Sequence, residues 1–287
     1  MILQTLTLLR NINKALFISL ALFCCGLQMQ AQTMTEDEIM AKLNEASALD
    51  NAKKTAEALD AFLLIGKNME QQRTEVEHQI YVYCQAKACM CYETLNRYEE
   101  AYLLAKKLIA GNLTEKEKKD VGHLYAVNGY LYASSFMHGN NRQSVKARTI
   151  LEEIMPYADG KVKEYALPKI SESWFFEGAE YHLSQQYDKA LTCYQNALKG
   201  YLKLGKTKDE ISVLQHIAEI KGTLYDVAGS ENAYKQALVL AKQIGKTDVL
   251  MEILKELWNL GNRIGNVQQA QTYAASIDSL VDVTADL

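Results

Sequence analysis

The chain has 287 residues, a net charge of −4 and a hydrophobic share of 48%, which is enough apolar material for a substantial core. It contains no basic run of the kind that contacts phosphates, which excludes a typical nucleic-acid-binding surface. Only two prolines occur, so long segments are free to form helix, because proline breaks helix interiors.

The first 31 residues have the order of a secretory signal. Arg10 and Lys14 supply positive charge, residues 15–27 form a 13-residue apolar run, and Ala31 provides a small residue at a cleavage point. The run is shorter than the roughly 20 residues that a membrane-spanning helix needs. A bulky residue before Cys24 disfavours a lipoprotein signal. We therefore expect this segment to be cleaved and the protein to be exported, to the periplasm or cell envelope if the source is a Gram-negative bacterium.

Four cysteines remain after the signal, and three of them (Cys84, Cys89 and Cys91) share one predicted helix. Cys89 and Cys91 point to different faces, and Cys84 lies about 10 Å along the axis from Cys91, so these three form neither a disulfide nor a shared metal site. A bridge from Cys193 to another helix stays open. The five histidines are scattered along the sequence, so we expect no metal site and no cofactor.

The clearest internal repeat covers residues 173–205. Its recurring residues are, in order, Trp174, Gly178, Tyr181, Ala190, Tyr194 and Ala197. This spacing closely resembles the tetratricopeptide repeat. The resemblance implies two antiparallel helices that cross at Gly178 and Ala190, where a larger side chain would push them apart, with the aromatic residues filling the surrounding space. Glu177 departs from the pattern, because the family usually has leucine there.

Weaker copies of this pattern recur along residues 32–287, with their crossing positions 40 to 46 residues apart. That period also suits HEAT or armadillo repeats, but the spacing of the best copy favours the tetratricopeptide type. We therefore predict an all-α, right-handed solenoid of about six helix pairs. The residues expected to pack the other copies are Cys89, Tyr92, Ala101, Gly129, Tyr132, Ala147, Ala237 and Ala270.

Threonine followed three residues later by glutamate predicts the start of several helices, because the two side chains cap each other's backbone amides. These capping boxes are expected at Thr35 with Glu38, Thr114 with Glu117, and Thr207 with Glu210. The glycines of the Gly-Lys-Thr sequences at 205–207 and 245–247 are expected to end the preceding helices.

Gly200, Gly205, Lys206 and Thr207 satisfy the G-x4-G-K-[ST] pattern of nucleotide-binding loops. That chemistry needs a β-strand before the first glycine, so that the loop and the following helix can hold phosphates. The preceding ten residues here belong to the second helix of the best repeat, so we predict no nucleotide binding. The sequence also lacks H-E-x-x-H, G-x-S-x-G and G-x-G-x-x-G, and we expect no enzyme.

The resemblance implies a concave groove lined by the first helix of each pair, which usually takes an extended peptide or a partner helix. Turning the packing residues of each first helix inward leaves six side chains toward this groove. They are Tyr83, Met90, His123, Tyr130, Phe175 and His182. The leading expectation is an exported scaffold that binds a protein or peptide.

Leu287 follows the second helix of the sixth copy, without the polar capping helix that usually closes such an array. Either the array ends without a capping helix, or the protein continues beyond Leu287 as part of a longer chain. Exported arrays of this kind resemble the sensor halves of membrane signalling proteins, so a sensory ectodomain without its kinase or transcription-regulator part is one alternative. A glycan-binding helical outer-membrane protein is a second. Membrane association is expected only through export or a missing C-terminal part.

Overall fold

The computed structural model describes residues 34–71, 74–138 and 142–285, and the predicted signal segment lies outside them. The described residues form twelve helices and no strand, which confirms the all-α prediction. The helices are α1 (Glu36–Asn51), α2 (Thr55–Asn68), α3 (Glu75–Thr94), α4 (Tyr98–Ile109), α5 (Glu115–Ser135), α6 (Ser144–Ile154), α7 (Gly160–Leu183), α8 (Tyr187–Leu204), α9 (Thr207–Thr223), α10 (Val227–Gln243), α11 (Thr247–Arg263) and α12 (Val267–Ala285).

Two of the predicted capping boxes are present. The Thr35 backbone amide donates to Glu38 Oε2 at 2.8 Å, and the Glu38 amide donates to the Thr35 hydroxyl oxygen. Thr114 and Glu117 exchange the same pair of hydrogen bonds before α5. These contacts satisfy amides that the first turn of a helix leaves without partners.

The third predicted capping box, at Thr207, is wrong. Thr207 is already the first residue of α9, the preceding Lys206 makes no side-chain cap, and Glu210 is buried. The reason is a tight turn in which Gly205 has a φ of +62° and the Lys206 amide donates back to the Tyr201 carbonyl. The next helix begins directly after this turn, so Thr207 is the first residue of α9 and does not occupy its N-cap position. Gly205 and Gly245 (φ +64°) follow the ends of α8 and α10 as predicted.

The described residues divide into two compact units. Unit one contains the residues up to Tyr132 together with Glu153–Val162, and unit two contains Ala133–Glu152 and the residues from Lys163 onward. In unit one, α1 packs against α2, α2 against α3, and α3 against α4. Their shared core places Ala58, Ala88 and Cys84 beside larger buried side chains such as Phe62 and Ile80.

In unit two, α8 to α12 likewise pack in chain order. Small residues recur at the contacts, and Ala190, Ala197 and Ala237 are fully buried. The turns between these helices are two to three residues long, so consecutive helices run antiparallel and each buries one face on its neighbours. The order of the helices is therefore the order of their contacts, as in a helical repeat.

The helices of the best copy, α7 and α8, approach closely at Gly178. A Cβ atom placed on Gly178 would lie 2.9 Å from two ring carbons of Tyr194 and 3.2 Å from Cys193 Cβ. Tyr194 is fully buried, so its ring has little room to move. Glycine is needed here because the ring occupies the space of the missing side chain.

Glu177, the departure from the family pattern, has an ionic partner on α6. Arg148 Nη1 lies 2.7 Å from Glu177 Oε2, and the two side chains are only 9% and 13% exposed. The contact is ionic, and neither atom completes a well-aligned hydrogen bond. The Arg148 guanidinium also stacks 3.3 Å from the centre of the Trp174 ring. The charge at position 177 is thus compensated within unit two by a cation that the tryptophan holds in place.

Gly178→Ala should destabilise the protein by about 1–3 kcal/mol, because overpacking outweighs the gain of roughly 1 kcal/mol in helix propensity. The free energy of unfolding, measured by urea denaturation, tests this. In a Tyr194→Leu background the ring is gone, and the same substitution should cost much less. An equal cost in both backgrounds would show that the ring contact is not the cause.

Arg148→Met should destabilise the protein by roughly 3–5 kcal/mol, because it leaves the Glu177 carboxylate buried without its cation. Glu177→Leu, which introduces the residue that the repeat family usually has, should lower the free energy of unfolding by less, because Arg148 retains its stacking contact with the Trp174 ring. The double variant should recover most of the loss. A double-mutant cycle by thermal or urea unfolding measures the coupling, and additive single effects would contradict the ion pair.

Candidate functional site

The four predicted groove residues of unit one lie on α3 and α5 and do not form one cluster. Tyr83 is buried, and its ring packs edge-on against Phe62 with 6.2 Å between centroids, so it is part of the core. Met90 and Tyr130 are half-buried. His123 lies at the surface, with its Nδ1 atom 3.0 Å from Asp159 Oδ1.

The two predicted groove residues of unit two, Phe175 and His182, meet around a residue that the sequence did not single out. Phe175 lies 5.4 Å from His216 and His182 lies 6.1 Å from it, measured between ring centroids. Tyr194 stacks on His216 at 5.3 Å with an interplanar angle of 8°. Together with Glu219, these residues form what we name the His182–His216 cluster.

Helix periodicity explains how the cluster is assembled. Phe175 and His182 are seven residues apart on α7, and His216 and Glu219 are three apart on α9, so each pair shares one face of its helix. Tyr194 reaches the same place from α8, where its ring fills the gap above Gly178. The residue that packs the helix pair therefore also forms the wall of the cluster.

The polar atoms of the cluster converge. One ligand atom each from His182, His216 and Glu219 lie within 4.8 Å of one another. The His216 Nδ1 atom is buried and makes no hydrogen bond, although Glu219 Oε2 lies 3.6 Å away. Burial lowers the pKa of His216 and outweighs the opposing effect of Glu219, which favours the neutral ring. The histidines are scattered in the sequence, yet the fold brings these two together from consecutive first helices.

A pocket of about 270 Å³ lies next along the same row of first helices, between α9 and α11. Ile211, Ile244 and Val249 supply its apolar part. Its polar lining comes from Lys208, Ser212, Gln215, Lys246 and Asp248. The pocket thus offers two cations, one anion and neutral hydrogen-bonding groups over an apolar floor.

Unit one contains a separate polar network around Glu153. The hydroxyls of Tyr102 and Tyr125 donate to its two oxygens at 2.8 and 2.5 Å, and Lys106 Nζ lies 2.7 Å from Oε1. Burial opposes ionisation of Glu153, but these three donors outweigh it and hold the pKa of the carboxyl below its usual range. The carboxylate oxygens and their three donors pair with one another, so the network stabilises the packing of unit one.

The four cysteines of the described residues are buried thiols. Burial raises the pKa of Cys84 to about 12 and that of Cys91 and Cys193 to about 11. A thiol with so high a pKa is a poor nucleophile at neutral pH. These residues pack the helices, and Cys193, whose bridge the sequence left open, is unpaired in this structure.

The residues of the nucleotide-loop pattern lie in a helix and at its end. Gly200 is within α8, where Ser171 of α7 leaves no room for a Cβ atom, and Gly205 ends that helix. No strand precedes Gly200, because the residues before it are helical from Tyr187. The pattern therefore reflects close helix packing followed by a turn, and it does not form a phosphate-binding loop.

No protein-family model matches the chain, and no curated protein matches it. Among solved structures it is similar to aspartyl phosphate phosphatase F from Bacillus subtilis, at 10% identity and a TM-score of 0.42, over 91% of this chain and 78% of that one. It is also similar to the C-terminal part of a TPR repeat-containing protein from Cytophaga hutchinsonii, at 14% identity and a TM-score of 0.35, over 83% and 94% of the two chains. A Rap protein complexed with competence and sporulation factor matches at 14% identity and a TM-score of 0.37, over 86% and 77%.

These TM-scores are below 0.5, so the assignment rests on the chain's own helix pairs. Within the described ranges, no helix combines the length and apolar character that crossing a bilayer requires. The close crossing at Gly178, the buried Ala190, Tyr194 and Ala197, and the antiparallel helices joined by short turns are the features that the repeat pattern predicted. The described residues thus form an all-α array of antiparallel helix pairs, as the resemblance to the tetratricopeptide repeat implied.

Proposed function

We propose that the protein is an exported scaffold that binds a peptide segment of a partner protein across the first helices of unit two. The observation that carries this proposal is the pocket between α9 and α11, which opens between consecutive first helices. Clefts between helices that combine an apolar floor with a few polar groups are the usual form of a binding site.

The lining of the pocket indicates the chemistry of the segment. An apolar side chain fits against Ile211 and Val249, and the Ser212 hydroxyl and the Gln215 amide can pair with a peptide backbone. Lys208 and Lys246 attract a carboxylate, and Asp248 leaves the pocket with one net positive charge. The segment we propose therefore has an apolar anchor next to an acidic residue or a carboxyl terminus.

The binding surface continues from the pocket along α9. Ser212, His216 and Glu219 share one face of this helix, because they are four and three residues apart. That face leads from the pocket to Phe175 and His182 on α7, whose rings are half-buried. Aromatic side chains next to a pocket are the groups that most often dominate binding energy. Two of the six predicted groove residues thus lie on the proposed surface.

Export is the second half of the proposal, and it is supported by the N-terminal residues alone. A charged segment, a 13-residue apolar run and Ala31 follow each other in the order that the secretion machinery recognises. If the protein is exported, its partner is expected to be in the cell envelope. The N-terminal sequence of the protein recovered from envelope fractions tests this, with cleavage after Ala31 expected.

Site-specific photo-crosslinking tests the binding surface. A photo-reactive phenylalanine analogue at Gln215 should crosslink to a partner in cells, because this position lines the pocket. The matched control is the same analogue at Gln236, which is exposed on the second helix α10. Mass spectrometry of the crosslinked product then identifies the segment, and a synthetic peptide of that segment serves for affinity measurements.

Ser212→Trp should weaken binding of that peptide by about tenfold or more, because the indole fills the pocket and removes a hydroxyl partner. Gln236→Trp places the same bulk on the other helix of the pair and should leave affinity unchanged. Crosslinking from Gln236 but not from Gln215, or equal affinity in both tryptophan variants, would contradict the proposed surface.

A further inference from the structure

We propose that His182, His216 and Glu219 bind a divalent cation of the Zn²⁺ class. This inference does not depend on the proposed peptide binding, because it concerns the three side chains alone. Two imidazoles and one carboxylate are a ligand set that zinc takes in proteins when three protein ligands hold it. Their ligand atoms lie within 4.8 Å of one another.

The rearrangement that a metal requires is small. At metal–ligand distances of about 2.1 Å, the ligands of a tetrahedral site are ~3.4 Å apart, so separations of at most 4.8 Å must shorten by no more than roughly 1.4 Å. Glu219 is free to adjust its position, because its side chain is 57% exposed. Rotation of one flexible glutamate at the surface does not disturb the packed helices.

His216 is positioned before any metal arrives. Its ring is stacked on Tyr194 and flanked by Phe175, and both rings restrict its rotation. The Nδ1 atom faces Glu219 Oε2 at 3.6 Å and makes no hydrogen bond, although it is buried. A buried nitrogen without a partner is costly, and a cation between the imidazole and the carboxylate would satisfy both groups.

The second imidazole is oriented toward the first. The His182 ring lies nearly perpendicular to that of His216, at 84° and 6.1 Å between centroids, and it packs edge-on against Tyr187 at 5.9 Å. The ligands come from α7 and α9, two first helices that the packing of unit two holds side by side. The site therefore depends on the repeat itself for its geometry.

The donor set selects the class of metal. Imidazole ligands favour Zn²⁺, Cu²⁺ and Ni²⁺, whereas Ca²⁺ and Mg²⁺ require mostly oxygen ligands. Three ligands leave at least one position for water, as in zinc sites that accept an outside ligand, whereas structural zinc sites are closed by four protein ligands. The Glu219 side chain is 57% exposed, so this ligand borders solvent.

Two other histidine–carboxylate pairs provide matched controls. His78 Nε2 lies 3.2 Å from Glu117 Oε2, and His123 Nδ1 lies 3.0 Å from Asp159 Oδ1. Among the described residues, neither pair belongs to a group of three such ligands. If any histidine–carboxylate pair were sufficient, these pairs would bind the metal as well as the proposed site does.

The test is metal titration of the purified full-length mature protein, without an affinity tag and after treatment with a chelator. Zn²⁺ affinity is measured by competition with a chromogenic chelator, and Co²⁺ is added separately to record its visible absorption bands. We expect one ion per chain and a Co²⁺ spectrum of low coordination number. Bands from thiolate coordination should be missing, since the cysteines are buried.

His182→Ala and Glu219→Gln should each weaken Zn²⁺ binding by at least about tenfold, because even the loss of an outer-shell partner of a metal ligand costs 10- to 100-fold. His78→Ala should leave the affinity unchanged. His216→Gln should abolish binding, with circular dichroism to confirm that the variant is folded. If it unfolds, the exposed Glu219→Gln variant still decides the question.

Three results would overturn the proposal. The first is a wild-type protein that binds Zn²⁺ no better than the His182→Ala variant. The second is an equal loss in His78→Ala, which would mean that the ion binds nonspecifically to histidine–carboxylate pairs. The third is a thiolate band in the Co²⁺ spectrum, which would place the metal on the cysteines.

Discussion

The helix pairs of this protein depend on how closely two helical backbones can approach where they cross. In the best repeat copy, Gly178 of α7 lies under the ring of Tyr194 from α8, and no side-chain atom fits between them. The ring fills the volume that glycine leaves empty, so the two residues are complementary and neither can change alone. Gly129 in unit one obeys the same constraint, since Ile154 occupies the place of its missing side chain.

This constraint also explains why charged residues inside the pairs need partners close by. Closely packed helices exclude water, and a carboxylate left alone there would be costly. Glu177 is compensated by Arg148, which lies on Trp174. This ion pair links α6 to α7, and in unit one the more exposed Glu153 links helices by accepting bonds from two tyrosines and pairing with Lys106.

The same packing produces the surface on which both proposals rest. Because each second helix covers one side of its pair, the first helices α7, α9 and α11 present their remaining faces next to one another. The His182–His216 cluster lies between the first two, and the pocket lies between the last two. Tyr194 connects helix packing with the proposed metal site, because its ring contacts Gly178 and stacks on His216.

The sequence by itself determined the helical class, the close crossing in the best copy and several helix ends, because these depend on residues a few positions apart. The capping box at Thr35, the turn at Gly205 and the small residues at Gly178 and Ala190 are local signals of this kind. Only the tertiary structure decided that Tyr83 is in the core and that His216 joins His182. Those outcomes depend on how each helix is rotated against its neighbours and on which residues 34 positions apart come to face each other. Burial of side chains on several helices at once sets that rotation, and no local pattern records it.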